Sequence, residues 1–316
     1  MKLGKSKKYI IVLIALAVIV IAGVSIHNSG YTRTSNTEQV STKHIKHKQR
    51  TRVISPAEFN KISINVSATD IAVRSGNKYQ VKIMDTKDTN VSSQVKQDTL
   101  IIRDHGPGRP FGDAGWANQG LKLKVLITIP TNQVLSAVIA NCLDGDFSLK
   151  DVQLQTLKFR SDTGDFKLAD TQPEKLNIKT DSGDSKLSHV VIKQDCKFKT
   201  DSGDSKLSHV VIKQDGKFKT DSGDLTVLHS QLKNFFCKGN SDVNITNSKL
   251  SGYNTYDLSG DFNLHQASKK DNYQLMTDEG EVKFFGNNCG NKFSKKNSSN
   301  DNLIKVENDY GDILIN

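Results

Sequence analysis

The chain has 316 residues, 35% of them hydrophobic, and a formal net charge of +10. Ten Lys/Arg and a single acid, Glu38, fall within residues 1–52, which leaves residues 53–316 at a net of +1. The basic balance therefore describes a tail, and nucleic acid is excluded as a partner, because binding it calls for a basic stripe on a folded surface.

Residues 1–8 carry Lys2, Lys5, Lys7 and Lys8, and residues 9–26 read YIIVLIALAVIVIAGVSI with no charge. As a helix these eighteen residues span roughly 27 Å, near the thickness of a bilayer core. The spacing predicts one N-terminal transmembrane helix at 9–26 behind a cytoplasmic tail at 1–8. The positive-inside rule places everything after it outside the cell. A cleaved signal peptide is the competing reading. The retained anchor is favoured, since the apolar run is long and no small-x-small site follows it.

Residues 27–52 lack hydrophobic periodicity and read as a basic extracellular linker. Lys43, Lys46, Lys48, Arg50 and Arg52 are its candidates for contact with a polyanion, either anionic lipid or wall polymer.

Residues 53–135 read as an N-terminal β capping region, either a cap on the stack or its first irregular coils. Ile62, Ile64 and Val66 alternate with polar residues, and so do Leu123, Val125, Ile127 and Ile129. Residues 105–120 (HGPGRPFGDAGWANQG) interrupt it as a Gly-rich loop. Trp116 and Phe111 on this loop are candidate ligand contacts, and a plug over the end of the core is the favoured alternative.

Residues 136–316 read as a repeat. The stretch 180–195, TDSGDSKLSHVVIKQD, recurs letter for letter at 200–215. With the glycine of Gly-Asp as marker, the frame extends to Gly145, Gly164, Gly183, Gly203, Gly223, Gly260, Gly280 and Gly311, with Ser241 filling one slot. Those nine slots predict nine coils of ~20 residues stacked in chain order. Positions two and four after the marker are largely apolar and share one face of a strand. Position five before it is apolar in most coils and includes Phe236. Each coil therefore reads strand, tight turn, strand and an irregular return. The fold class is all-β, a parallel β-solenoid. Nine coils at ~4.8 Å each would run roughly 40 Å. The final segment, 311–316, reads as a strand left at an open edge, a route to self-association.

Two columns recur within the repeats. Asp181, Asp201 and Asp221 stack, as do Asp184, Asp204 and Asp224, and they are the metal candidates, for Ca²⁺. The turn chemistry of aspartate is the favoured reading. His189, His209 and His229 also recur, and duplication alone accounts for them. Cys142, Cys196, Cys237 and Cys289 lack metal-ligand spacing and read as free surface thiols. No catalytic motif is present, so the expectation is a non-enzymatic protein with no cofactor.

These elements resemble a bacterial family of putative adhesins built from β-strand repeats, a domain of unknown function. The residues that carry the likeness are FNKISINVSATDIAV at 59–73, LKVLITIPTN at 123–132 and the T-D-S-G-D-x-x-L coils. The resemblance implies a Gram-positive envelope protein with no catalytic residues, and some relatives look linked to envelope-stress systems. The function expected is a membrane-anchored adhesin or envelope scaffold that binds anionic wall polymer or glycans. The alternative is an envelope-stress sensor that acts through a membrane-protein partner.

Overall fold

The computed structural model describes residues 49–86, 90–105 and 123–316, without the side chain of His105. The N-terminal tail, the 9–26 span, Lys43, Lys46, Lys48 and most of the 105–120 loop, with Phe111 and Trp116, lie outside the described residues. Among the described residues no helix is long and apolar enough to cross a membrane.

The repeats form two main parallel sheets joined at the D-S-G-D turns. Strands entering the turn, such as Lys175–Thr180, Cys196–Thr200 and Gly216–Thr220, pair in register in the entry sheet. Strands leaving it, such as Ser185–Ile192, Ser205–Ser208 and Leu225–Leu228, pair in the exit sheet. A short third sheet forms on the return, from Val191 and Ile192 through Val211–Ile212 and Gln231–Lys233 to Lys249–Ser251. Coils in the middle of the stack therefore have three strands.

Identical register puts like residues over like. Lys197 pairs with Lys217 and Phe198 with Phe218. The Phe198 and Phe218 rings stack at 5.1 Å, and Phe147 lies over Phe166 at 5.8 Å. Inward positions two and four after the marker are buried as the alternation requires, from Phe147 and Leu149 to Ile313 and Ile315. Ser185 and Ser205 occupy that inward face too, and their hydroxyls have no partner.

Three expectations change. First, Phe236 is not inward. Phe218 pairs with Cys237, and Cys237 with Tyr256, so Phe235, Cys237 and Tyr256 fill the core while Phe236 faces out. Turns 240–242 and 259–261 hold three residues between inward positions where their neighbours hold four. One residue fewer moves the preceding strand by one position against the marker and reverses which side chains face in.

Second, the coils do not stack in chain order. The Leu303–Asn308 strand inserts between Tyr253–Leu258 and Asn272–Thr277, and Ile313–Ile315 inserts between Phe262–His265 and Val282–Phe284. The final strand is thus paired on both sides and presents no open edge. The other end does the same. The coil of Lys61–Val66 and Thr69–Gly76 sits between the Gly145 coil and the one built from Thr99–His105 and Leu123–Pro130. The capping region therefore contributes true coils.

Third, antiparallel strands close both ends. Gln80–Asp85 and Asn90–Lys96 cover one end, and Asn287–Asn288 and Lys292–Lys295 cover the other. The insertion at 287–299 supplies the second cover. An uncovered parallel edge would invite another chain to pair, and such covers blunt it.

Candidate ligand-binding surface

The aspartate after each marker links one coil to the next. The Asp184 N–H donates to Asp165 Oδ1 at 3.1 Å, Asp204 N–H to Asp184 Oδ1 at 3.0 Å and Asp224 N–H to Asp204 Oδ1 at 3.0 Å. The same bond joins Asp146 N–H to Asp70 at 3.1 Å, Asp312 N–H to Asp261 at 2.8 Å and Glu281 N–H to Asp312 at 2.9 Å. This ladder follows spatial order, including the inserted final coil. It gives the Asp184 column a structural task as acceptor for amides that a tight turn leaves unpaired.

The neighbouring aspartates pair with lysine. Lys179 Nζ lies 3.7 Å from Asp181 Oδ1, and Lys199 Nζ lies 2.6 Å from Asp201 Oδ1. The hydrogen bond from Lys199 holds the Asp201 carboxyl below its ordinary value. Among the described residues no group of three or more His, Cys, Asp or Glu side chains is arranged to hold a metal ion.

His189, His209 and His229 stand at a corner where the backbone is left-handed, with φ of 54°, 56° and 50°. Asp151, Asp170, Asn247 and Gln266 fill the same corner in other coils, with φ between 51° and 61°. Asp, Asn and His are the non-glycine residues most enriched there, so the column follows from backbone geometry. The imidazoles stack face to face at 4.7 and 5.1 Å.

The cysteines depart from the sequence reading. Cys142, Cys196 and Cys237 are free but buried, and Cys289 is half-buried. Burial pushes the Cys142 and Cys196 thiols up to about 12. Thiolate is the reactive form, so both are inert packing groups at neutral pH. Cys196 and Gly216 meet at one inward register position, where a small residue suffices.

The outer face of the entry sheet is where charge collects. One outward column runs Arg160, Lys179, Lys199, Lys219, Lys238 through successive register pairs. The next runs Lys158, Asn177, Lys197, Lys217 and ends at Phe236, whose ring lies 5.6 Å from Lys217 Nζ. The near-neutral total for 53–316 concealed this. Parallel in-register stacking sorts lysines onto the strands and aspartates onto the turns, so a basic stripe exists although the net charge does not announce it.

A family model matches residues 59–215 and again residues 194–301, covering most of the chain, and the two matches overlap across the second copy of the duplicated segment. The chain belongs to the Toastrack DUF4097 family. No curated protein matches it. Solved structures with a similar outline include a putative adhesin from Parabacteroides merdae, at 13% identity over 83% of this chain and 97% of that one with a TM-score of 0.43. A protein named as a putative lipid binding protein, from Parabacteroides distasonis, aligns at 13% identity over 86% and 98% with a TM-score of 0.37. A putative cell adhesion protein from Clostridium sporogenes aligns at 12% identity over 85% and 99% with a TM-score of 0.30.

Within this Toastrack chain, Arg50 and Arg52 are not linker residues. They lie in the strand Arg50–Ile54, and both reach the buried Asp85, each at 2.6 Å. The Val91 N–H is a third donor to Asp85, at 3.1 Å. Burial pushes the Asp85 carboxyl up, but the hydrogen bonds from Arg50, Arg52 and Val91 outweigh it, and the group titrates below its ordinary value. These two arginines tie the end cover together. A polar groove of about 370 Å³ opens on the return side of the Toastrack stack, lined by Asp151, Gln153, Gln155, Asp170, Gln172 and Lys193 among others. It sits beside the start of the third sheet, where the coils lack a return strand.

Proposed function

We propose that this Toastrack protein is a non-enzymatic, membrane-anchored scaffold or adhesin of the cell envelope that binds polymeric surface ligands along its repeat stack. The observation that carries the reading is the register. Equivalent side chains recur coil after coil, as Lys197 over Lys217 does. Such a ladder lets many weak contacts to a polymer add through multivalency. The uncharged run at 9–26 supports anchoring and display outside the cell.

The test uses the full chain in a non-ionic detergent, applied to intact cells, purified wall polymer and neutral glycans. A variant lacking residues 196–215 has one coil fewer with the frame intact. Saturable binding that weakens in the shorter variant supports the reading. Absence of binding to every surface, or equal binding by both lengths, overturns it.

A further inference from the structure

We infer that the outer face of the entry sheet binds a linear phosphodiester polymer without bases, laid along the stack. This rests on the polymer-binding reading above and names its face and its partner. Successive lysines in a column are ~4.8 Å apart, and the two columns are roughly 7 Å apart as alternate residues of one strand. Five consecutive coils contribute, from Lys158 and Arg160 to Lys238.

The acidic groups near the stripe are at its borders. Asp181 and Asp201 pair with Lys179 and Lys199 on the turn side, and Asp257 closes the far end against Lys238. Lys197, Lys217 and Lys219 are exposed, and no described carboxylate lies within ion-pair distance of them. The exit sheet is a weaker candidate. Its outward column has Lys167, Lys186 and Lys206, then turns neutral at Thr226, Asn244 and Asn263.

The chemistry selects phosphate over bases. Strands of nucleic acid are held by aromatic platforms on which bases stack. The stripe has a single outward aromatic, Phe236, and Lys217 covers its ring. All but one of its cations are lysines, which act as point charges toward phosphate. The 20-residue duplication adds one more coil, and with it one more outward lysine pair, to this stripe.

The experiment titrates synthetic poly(glycerol phosphate) into the full chain across a salt series. K197Q/K217Q removes two stripe charges, and K186Q/K206Q removes two from the opposite face. The basic tail contributes equally to all variants. The expected result is that K197Q/K217Q lowers the slope of log affinity against log salt by about 1.4, at ~0.7 per phosphate contact, while K186Q/K206Q leaves it unchanged. Equal loss in both variants overturns the assignment in favour of bulk charge. Poly-uridylate binding as tightly overturns the choice of a base-free polymer. Phosphatidylglycerol vesicles binding with the same stripe dependence overturns it in favour of a lipid surface. Absence of polymer binding by a chain that still binds intact cells removes this inference alone, and loss of both removes the function reading as well.

Discussion

Asp184 Oδ1 accepts the backbone N–H of Asp204 at 3.0 Å, so a side chain in one coil completes the turn of the next. Asp184→Ala leaves that amide without its partner. The expected loss is about 1 kcal/mol in chemical denaturation, with faster hydrogen exchange at the Asp204 amide. Asp184→Asn keeps an acceptor oxygen and removes one of a row of like charges, so it stays near wild type. Equal loss in both variants would show that charge, not the acceptor, matters.

Gly203 combines φ of +100° with a closed environment, since a Cβ there would stand 2.4 Å from the Gly183 carbonyl oxygen. Gly203→Ala meets both penalties. The left-handed backbone alone costs about 1–2 kcal/mol for a residue with a Cβ, and the contact with backbone adds to it. Thermal unfolding of the variant measures the sum, and a stability equal to wild type would refute it.

His209 is held at φ of 56° and stacked between His189 and His229. If the column follows from backbone conformation, His209→Asn is tolerated and His209→Val is not. The expected gap between them is about 1–2 kcal/mol, the cost of left-handed backbone for a β-branched residue. Equal destabilisation would make ring stacking the larger effect.

Ser185 and Ser205 are buried with unpartnered hydroxyls. Ser→Ala at each removes a desolvated polar group while keeping the small volume. Each change should stabilise the stack by about 1 kcal/mol, and because the two residues are register partners on adjacent strands the double variant departs from the sum of the singles. A lowered melting temperature in either variant would contradict this.

Asp85 stabilises the end cover in a pH-dependent way. Its folded value lies below the ordinary carboxylate value, so its contribution is fully present above the unfolded value of ~3.9 and is lost as pH falls through the folded value. Asp85→Ala should cost about 3 kcal/mol near neutral pH, the low end for breaking a buried pair, because the arginine side chains are about a third exposed. The gap between the variant and wild type should narrow as pH falls below the unfolded value of ~3.9 and through the lowered folded value. A gap that persists at acid pH would assign the loss to packing.

Period and alternation made most of the fold readable. The copied 20-residue sentence set the coil length, and Leu187 and Leu207 declared the inward face. The turn residues were legible as turn residues. Their second task was not, because the bond from Asp204 N–H to Asp184 Oδ1 spans two coils and appears only once those coils are stacked. The basic stripe was hidden for a related reason. Composition sums charge over a segment, whereas register decides which face each charge occupies.

What the sequence determined by itself was local and periodic: strand, tight turn, strand, and the family that shares them. The tertiary structure alone decided the order of coils at the two ends. Leu303–Asn308 carries the same pattern as its neighbours, so nothing in its alternation says that it enters between Tyr253–Leu258 and Asn272–Thr277. Every coil offers nearly the same apolar face and the same ladder, so local preference cannot rank the positions. The antiparallel covers can, because they leave the final coil an interior place paired on both sides.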